Sequence, residues 1–259
     1  MKQAMLLAAG LGTRLRPLTD TMPKALVPVA GRPLLHHIIL RLKQAGFQRI
    51  VVNIHHFGQQ IIDDLAANHH FGLDIRISDE RDLLLDTGGA LRHAAPHFDP
   101  SSPVLVHNVD ILSNADLSAL YQSIPAASEQ SASAAPETTA ASLLVSQRST
   151  SRYLLFSPTS HHLLGWTNKT TGELRGPIAS DSAALPSALP RAFSGIHLLS
   201  PALFPLMASW PEKFSIIDFY LSVCSTHAIQ GFVQPGLRLL DVGKIDSLAD
   251  ADTFLTSLP

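Results

Sequence analysis

The sequence predicts an α/β protein built on a doubly wound, mostly parallel mixed sheet. Three observations predict it. Short apolar runs rich in β-branched residues alternate with helix-period segments through the first half of the chain. The first run breaks at the glycine turn Gly10-Leu11-Gly12, and a later one stops at Asn108-Val109-Asp110. Strands that alternate with helices form a parallel sheet covered on both faces, with loops gathered at the strand ends.

Each element follows from its pattern. Met5 to Ala9 reads as a buried first strand, and a long loop follows the glycine turn. Leu34, Leu35, Ile38, Ile39, Leu42 and Ala45 recur at helical spacing, and Gly46 stops them. Ile50 to Ile54 is a β-branched strand, Gln59 to Ala67 a second helix, and Leu73 to Ile77 an alternating strand. A loop at Asp86 to Gly89 precedes a helix over Ala90 to Ala95. Val104 to Asn108 is a buried strand, and a helix covers Asp116 to Tyr121.

Residues 123–142 are rich in Ser, Ala and Pro without an apolar period, which predicts a flexible surface loop. Beyond it the pattern is mixed. Strand-like pieces lie at Ser142 to Val145, Arg152 to Phe156, Leu163 to Trp166 and Phe193 to Leu198, with a turn at Lys169 to Gly172. Helical patterns return at Pro201 to Ala208 and Ile216 to Thr226. Strands around Gly231 to Gln234 and Leu237 to Leu240 lead to Asp241-Val242-Gly243 and a helix over Ser247 to Leu255. No repeat or C-terminal β-solenoid is visible. The chain reads as one domain over 1–259, with halves at 1–122 and 143–259 around the 123–142 loop.

Composition narrows the function classes. Hydrophobic residues at 46% and charged residues at 15% exclude a disordered chain. A formal net charge of -2 with no basic stripe gives no reason to expect a nucleic-acid partner. The lone Cys224 forms no intrachain disulfide, and the N-terminal apolar run is too short for a signal peptide. No segment approaches the ~18 apolar residues of a membrane span. These features predict a cytoplasmic protein without membrane contact, a monomer or homodimer.

The stretch Gly10-Leu11-Gly12-Thr13-Arg14-Leu15-Arg16-Pro17-Leu18-Thr19, with Pro23-Lys24-Ala25-Leu26-Val27-Pro28 downstream, carries the most chemistry. Glycines after a first strand let backbone N–H groups approach a phosphate chain. Arg14 and Lys24 are placed to neutralise a triphosphate and its leaving group. A Walker A loop is absent. So is the third glycine of a dinucleotide fingerprint, which disfavours a dinucleotide-dependent oxidoreductase. Leu15 stands in that glycine's place, and Pro17 discourages an immediate helix. Eight of the thirteen histidines occur as adjacent pairs, such as His55-His56, whose side chains diverge and do not suit chelation.

The stretch from Ala8 to Pro28 resembles the signature of the sugar-1-phosphate nucleotidyltransferases, Gly-x-Gly-Thr-Arg-Leu-x-Pro-Leu-Thr followed by Pro-Lys and a further Pro. The resemblance implies a Rossmann-like core, the nucleotide-diphospho-sugar transferase fold. Ala8, Ala9, Gly10, Gly12, Thr13 and Arg14 would hold the nucleotide, with Lys24 bridging phosphates during transfer. Asp86-Thr87-Gly88-Gly89 resembles the loop whose backbone reads the base, with Glu80 on the approach to it. Asn108-Val109-Asp110 resembles the family's Asn-Gly-Asp or Asn-Ala-Asp, with Val109 in place of the small residue. Asp241-Val242-Gly243 resembles the late Asp-x-Gly.

On that likeness Asp110 and Asp241 would bind Mg²⁺, as suits a hard cation that keeps phosphate and water oxygens. Arg152, Asn168, Phe193 and Gly195 fall in segments similar to the sugar side of the pocket. No Glu-Lys-Pro is present, so Lys169 is not carried over as the sugar-phosphate lysine. The implied reaction joins a nucleoside monophosphate from an NTP, UTP or GTP by preference, to a sugar 1-phosphate and releases pyrophosphate. Within the family the chain looks most like N-acetylmuramate-1-phosphate uridylyltransferases and short mannose-1-phosphate guanylyltransferases. The base and the sugar stay open. A catalytically silent sensing subunit is the alternative, favoured by loss of Arg14, Lys24 or either aspartate. All four are present.

Overall fold

The computed structural model describes residues 1–124, 138–181 and 185–258. Strand β1 (Gln3–Leu7) lies at the middle of the main sheet, where Ala4, Met5 and Leu6 are fully buried. It ends before Ala8, earlier than the apolar run suggests. Three short 3-10 turns follow, Thr13–Leu15, Leu18–Asp20 and Lys24–Leu26, in the long loop that Pro17 imposes. A small hairpin, β2 (Pro28–Val29) with β3 (Arg32–Pro33), feeds helix α1 (Leu34–Gln44). The stripe Leu34, Leu35, Ile38, Ile39 and Leu42 is buried against the sheet.

The parallel half is completed by β4 (Arg49–Ile54), α2 (Gly58–Ala67), β5 (Asp74–Asp79), α3 (Asp86–Ala94) and β6 (Val104–Asn108). Strand β1 pairs in parallel with β4 and β6, and β4 with β5. Next come β7 (Ile111–Ser113) and α4 (Leu117–Gln122), which Asp116 caps by accepting from the Ala119 amide at 2.9 Å.

The second half contributes β8 (Thr139–Ser146), β9 (Arg152–Phe156), β10 (Leu163–Asn168), β11 (Glu173–Arg175) and the long β12 (Leu189–Leu199). Helix α5 (Ile216–Val223), β13 (Ala228–Val233), β14 (Leu239–Asp241) and α6 (Ile245–Thr256) follow. Strand β12 runs antiparallel to β6, β8 and β9, with β13 parallel to β8. The sheet is therefore mixed, parallel around β1 and largely antiparallel beyond β12.

Alternation along the strands sorts the core into two layers. Ala4, Leu6, Ile50, Val52 and Leu105 face α1, α2, α4 and α6, whereas Met5, Val51, Val104 and Val106 face α3 and α5.

Four expectations change. Asp86 to Gly89 is the first turn of α3 rather than a loop before it, because Gly88 and Gly89 donate to the Phe214 carbonyl and allow close helix packing. The segment over 201–208 forms two 3-10 turns, since Pro205 brings no N–H to a continuous helix. Residues 139–142, expected in the flexible loop, belong to β8. Residues 125–137 of that stretch lie outside the described residues. Strand β11 is additional, a three-residue partner of β10 across the Lys169–Gly172 turn.

Candidate active site

A cavity of about 390 Å³ opens at the carboxyl ends of β1, β4 and β6. In open α/β sheets this is the crevice where connections diverge and ligands bind. Gly10 and Ala9 border it from the turn after β1, Asn108 and Asp110 from the end of β6, and Thr87 and Asp86 from the start of α3.

The charged cluster is assembled by a two-stranded pairing. Strand β14 runs antiparallel to β7 with Asp241 opposite Ile111, and the Val242 amide donates to the Asp110 carbonyl at 2.9 Å. Two aspartates remote in sequence therefore end beside each other. A Cβ placed on Gly243 would stand 2.7 Å from Asp241 Oδ1, 2.8 Å from Arg14 Nη2 and 3.3 Å from Asp110 Oδ2. One small space thus holds both carboxylates and the guanidinium. The Gly243 amide donates to Asp241 Oδ1 at 2.8 Å and fixes that carboxylate. Lys24, 9% exposed, pairs with Asp110 Oδ2.

Gly12 positions Lys24. Its φ of 64° lies in the left-handed region, and a Cβ there would come within 2.8 Å of Thr19 Cγ2 and 3.1 Å of Lys24 Cβ. The Thr19 hydroxyl donates to the Gly12 carbonyl at 2.9 Å and closes the turn. Thr13 is exposed at the start of its 3-10 turn and does not border the cavity.

Behind the glycine turn lies Asn53, which is not among the predicted site residues. Its Oδ1 accepts from the Ala8 amide at 2.6 Å and the Ala9 amide at 3.3 Å. Ala8 is buried and its N–H is committed, so it supports the turn from behind instead of meeting a ligand. Asn53 Nδ2 in turn donates to Glu80 Oε1 at 2.7 Å, and the Leu85 amide donates to Glu80 Oε2 at 3.2 Å. Burial pushes the Glu80 carboxyl above its ordinary pKa, against the opposing pull of the Asn53 hydrogen bond. Gly88 corrects another expectation. Its N–H is taken by Phe214 O at 2.9 Å, so its smallness serves packing and that amide is not free for a base edge. The Thr87 side chain borders the cavity while its Oγ1 accepts from the Ile216 amide at 3.0 Å.

Lys213 also lines the cavity, exposed in the loop before α5. A charged loop residue carries no sequence signal of such a place. Of the residues predicted for the sugar side, Arg152, Asn168 and Phe193 line a second cavity of about 520 Å³. Gly195, with φ of 78°, lies in the β12 bulge behind Asn108; a Cβ would come within 2.7 Å of Asn108 Nδ2. Its role is to let β12 pass that side chain.

Cations and paired carboxylates at the switch point of the sheet suit phosphoryl-group chemistry, and no glycine fingerprint for a dinucleotide accompanies them. A family model described as nucleotidyl transferase matches residues 3–153. The chain is 34% identical over 239 residues to the N-acetylmuramate alpha-1-phosphate uridylyltransferase of Caulobacter vibrioides, covering 91% of this chain and 90% of that protein. It is 46% identical over 120 residues to the enzyme of the same name from Neisseria meningitidis serogroup B, covering 46% of this chain but only 52% of that protein. The fold is similar to that of a UDP-glucose pyrophosphorylase from Acinetobacter baumanii, with a TM-score of 0.73, 20% identity and coverage of 98% and 93%. The chain belongs to the nucleotidyl transferase family, among its sugar-1-phosphate nucleotidyltransferases. No helix among the described residues is long and apolar enough to cross a membrane.

Proposed function

We propose that the chain transfers the uridylyl group of UTP to the phosphate of N-acetylmuramate 1-phosphate or a close relative, releasing pyrophosphate. The convergence of Arg14, Asp110 and Asp241 around Gly243, with Lys24 on Asp110, carries the reading. Similarity along nine-tenths of the Caulobacter enzyme supports the choice of base and acceptor.

An acceptor phosphate oxygen attacks the α-phosphorus in line, the bond from that phosphorus to the β-bridging oxygen breaks, and its electron pair leaves with pyrophosphate. The phosphate is already ionised near neutral pH, so no general base is required. Arg14 and Lys24 align the anions and stabilise the charge that accumulates on the α-phosphate and the leaving group. Asn53 holds the glycine turn and Glu80 in register behind the nucleotide. The Asp110 and Asp241 carboxylates around a space that one Cβ would fill fit Mg²⁺, which shares such sites with phosphate and water oxygens. When bound there it supplies positive charge toward the transferring phosphates. A nucleoside triphosphate donor makes the cytoplasm the natural location.

The test measures pyrophosphate release for UTP, GTP, dTTP and CTP against N-acetylmuramate, N-acetylglucosamine, glucose and mannose 1-phosphates. UTP with N-acetylmuramate 1-phosphate is expected to lead. Asp110→Ala and Asp241→Ala are expected to lose about a hundredfold or more in kcat, the scale of removing one transition-state electrostatic partner, with Tm retained. Near-normal release by both variants would sink the proposal.

A further inference from the structure

The second cavity adjoins the first along two chain segments. Across the loop and first turn of α5, Lys213 borders the nucleotide cavity, whereas Ser215 and Ile217 border the second one. In β12, Phe193 lines the second cavity and Gly195, two residues on, packs against Asn108 of the first. An acceptor whose 1-phosphate lies by Asp110 and Lys213 therefore extends its ring toward the second cavity.

That cavity carries more positive charge than the ring of a neutral sugar requires. Arg148, Arg152 and Arg175 line it. Arg175 is engaged: Nη1 meets Asp218 Oδ1 at 2.6 Å, Nε lies 3.5 Å from Glu173, and the guanidinium stacks on Trp166 at 4.0 Å. It forms a wall. Arg148 donates to the Phe193 carbonyl at 3.0 Å, which holds its guanidinium at the cavity and leaves its charge uncompensated. Among the described residues neither Arg148 nor Arg152 has a carboxylate partner, and Glu173, the acidic group that lines the same cavity, lies on Arg175. Both carboxylates are spent on Arg175, so Arg148 and Arg152 are the guanidiniums of this cavity without an acidic partner among the described residues.

We infer that Arg148 and Arg152 form a subsite for a carboxylate carried on the acceptor's sugar ring, apart from its 1-phosphate. This rests on the uridylyl-transfer reading and adds the substrate feature that selects the acceptor. The planar guanidinium fork is suited to the two oxygens of a carboxylate. The stacked Trp166 and Arg175, with Phe193 and the stem of Ile217, supply flat and apolar surfaces for the ring that bears it.

The decisive comparison uses N-acetylmuramate 1-phosphate and N-acetylglucosamine 1-phosphate, which share ring and phosphate and differ by the lactyl carboxylate. Both kcat/KM with UTP and calorimetric Kd are measured. The native protein is expected to prefer the acidic acceptor at least tenfold in both. Arg148→Gln and the double variant Arg148→Gln/Arg152→Gln are expected to reduce that preference to within about twofold at unchanged Tm. A preference that survives the substitutions, because both acceptors weaken together or neither changes, overturns the carboxylate subsite. If neither acceptor turns over in the native protein, the uridylyl-transfer reading falls, and the Kd ratio alone still decides the subsite.

Discussion

Gly88 and Gly10 sit at two edges of the same cavity, and their neighbours set opposite consequences for a methyl group. A Cβ at Gly88 would lie 2.3 Å from Phe214 Cε2 and 3.0 Å from the Phe214 carbonyl oxygen, while one at Gly10 would meet nothing within 4 Å. Gly88→Ala is therefore expected to cost about 1–3 kcal/mol, the usual range for overpacking, measured by urea unfolding. Gly10→Ala should unfold like the native chain and instead raise KM for the nucleotide, since the methyl group projects where phosphates approach. Unchanged KM would separate Gly10 from the phosphate path. These two glycines also mark what can be read at this scale. That Arg14, Lys24, Asp110 and Asp241 come together around Gly243 is legible in the sequence through the motifs that resemble the family's. Gly88 reads as a base-facing loop residue in the sequence because a glycine pair looks alike in a loop and in a packed helix start. Asn53 sits in a β-branched run and Lys213 in an ordinary charged loop, so neither announces its position.

At the scale of elements, the short pairing of β7 with β14 sets the chemistry. Asp110 precedes the one and Asp241 ends the other, and Gly243 leaves room where the two carboxylates and Arg14 meet. Gly243→Ala is expected to lower kcat tenfold or more with little change in Tm, because the methyl group displaces side chains at an open edge and not in a core. A kcat within twofold of native would show that the space is not needed. The alternating strands and helices of the first half followed from periodicity alone. The strand β11 did not, being three residues long, and neither did the break of the 201–208 segment at Pro205. The antiparallel course of β12 between two groups of strands depends on pairings far apart in sequence, to which local pattern is blind.

For the whole molecule, the seam between β6 and β12 links fold stability to acidity. His107 and His197 lie in adjacent strands at the centre of the sheet, each 1% exposed. Burial lowers the His107 pKa to about 4 and the His197 pKa to about 3, below the 6.5 of a free imidazole. The unfolded chain thus binds protons that the folded chain refuses. The contribution of these two histidines to stability is level above about pH 7 and is expected to fall as the pH drops from 6.5 toward 4, by up to about 1.4 kcal/mol per pH unit for each. His197→Phe, which keeps an aromatic ring between Phe193 and Tyr220, should reduce that slope between pH 6 and 4 by about half. An unchanged slope in urea titrations would rule out His197 as a source. The β7–β14 pairing has a further consequence, in the order of synthesis. Domains fold as the chain emerges, N-terminal parts first. The glycine turn, Lys24 and Asp110 are all made early, whereas Asp241 arrives with the last described strand. A nascent chain therefore holds Lys24 and Asp110 before it has Asp241, and the cluster around Gly243 is completed only by the final pairing.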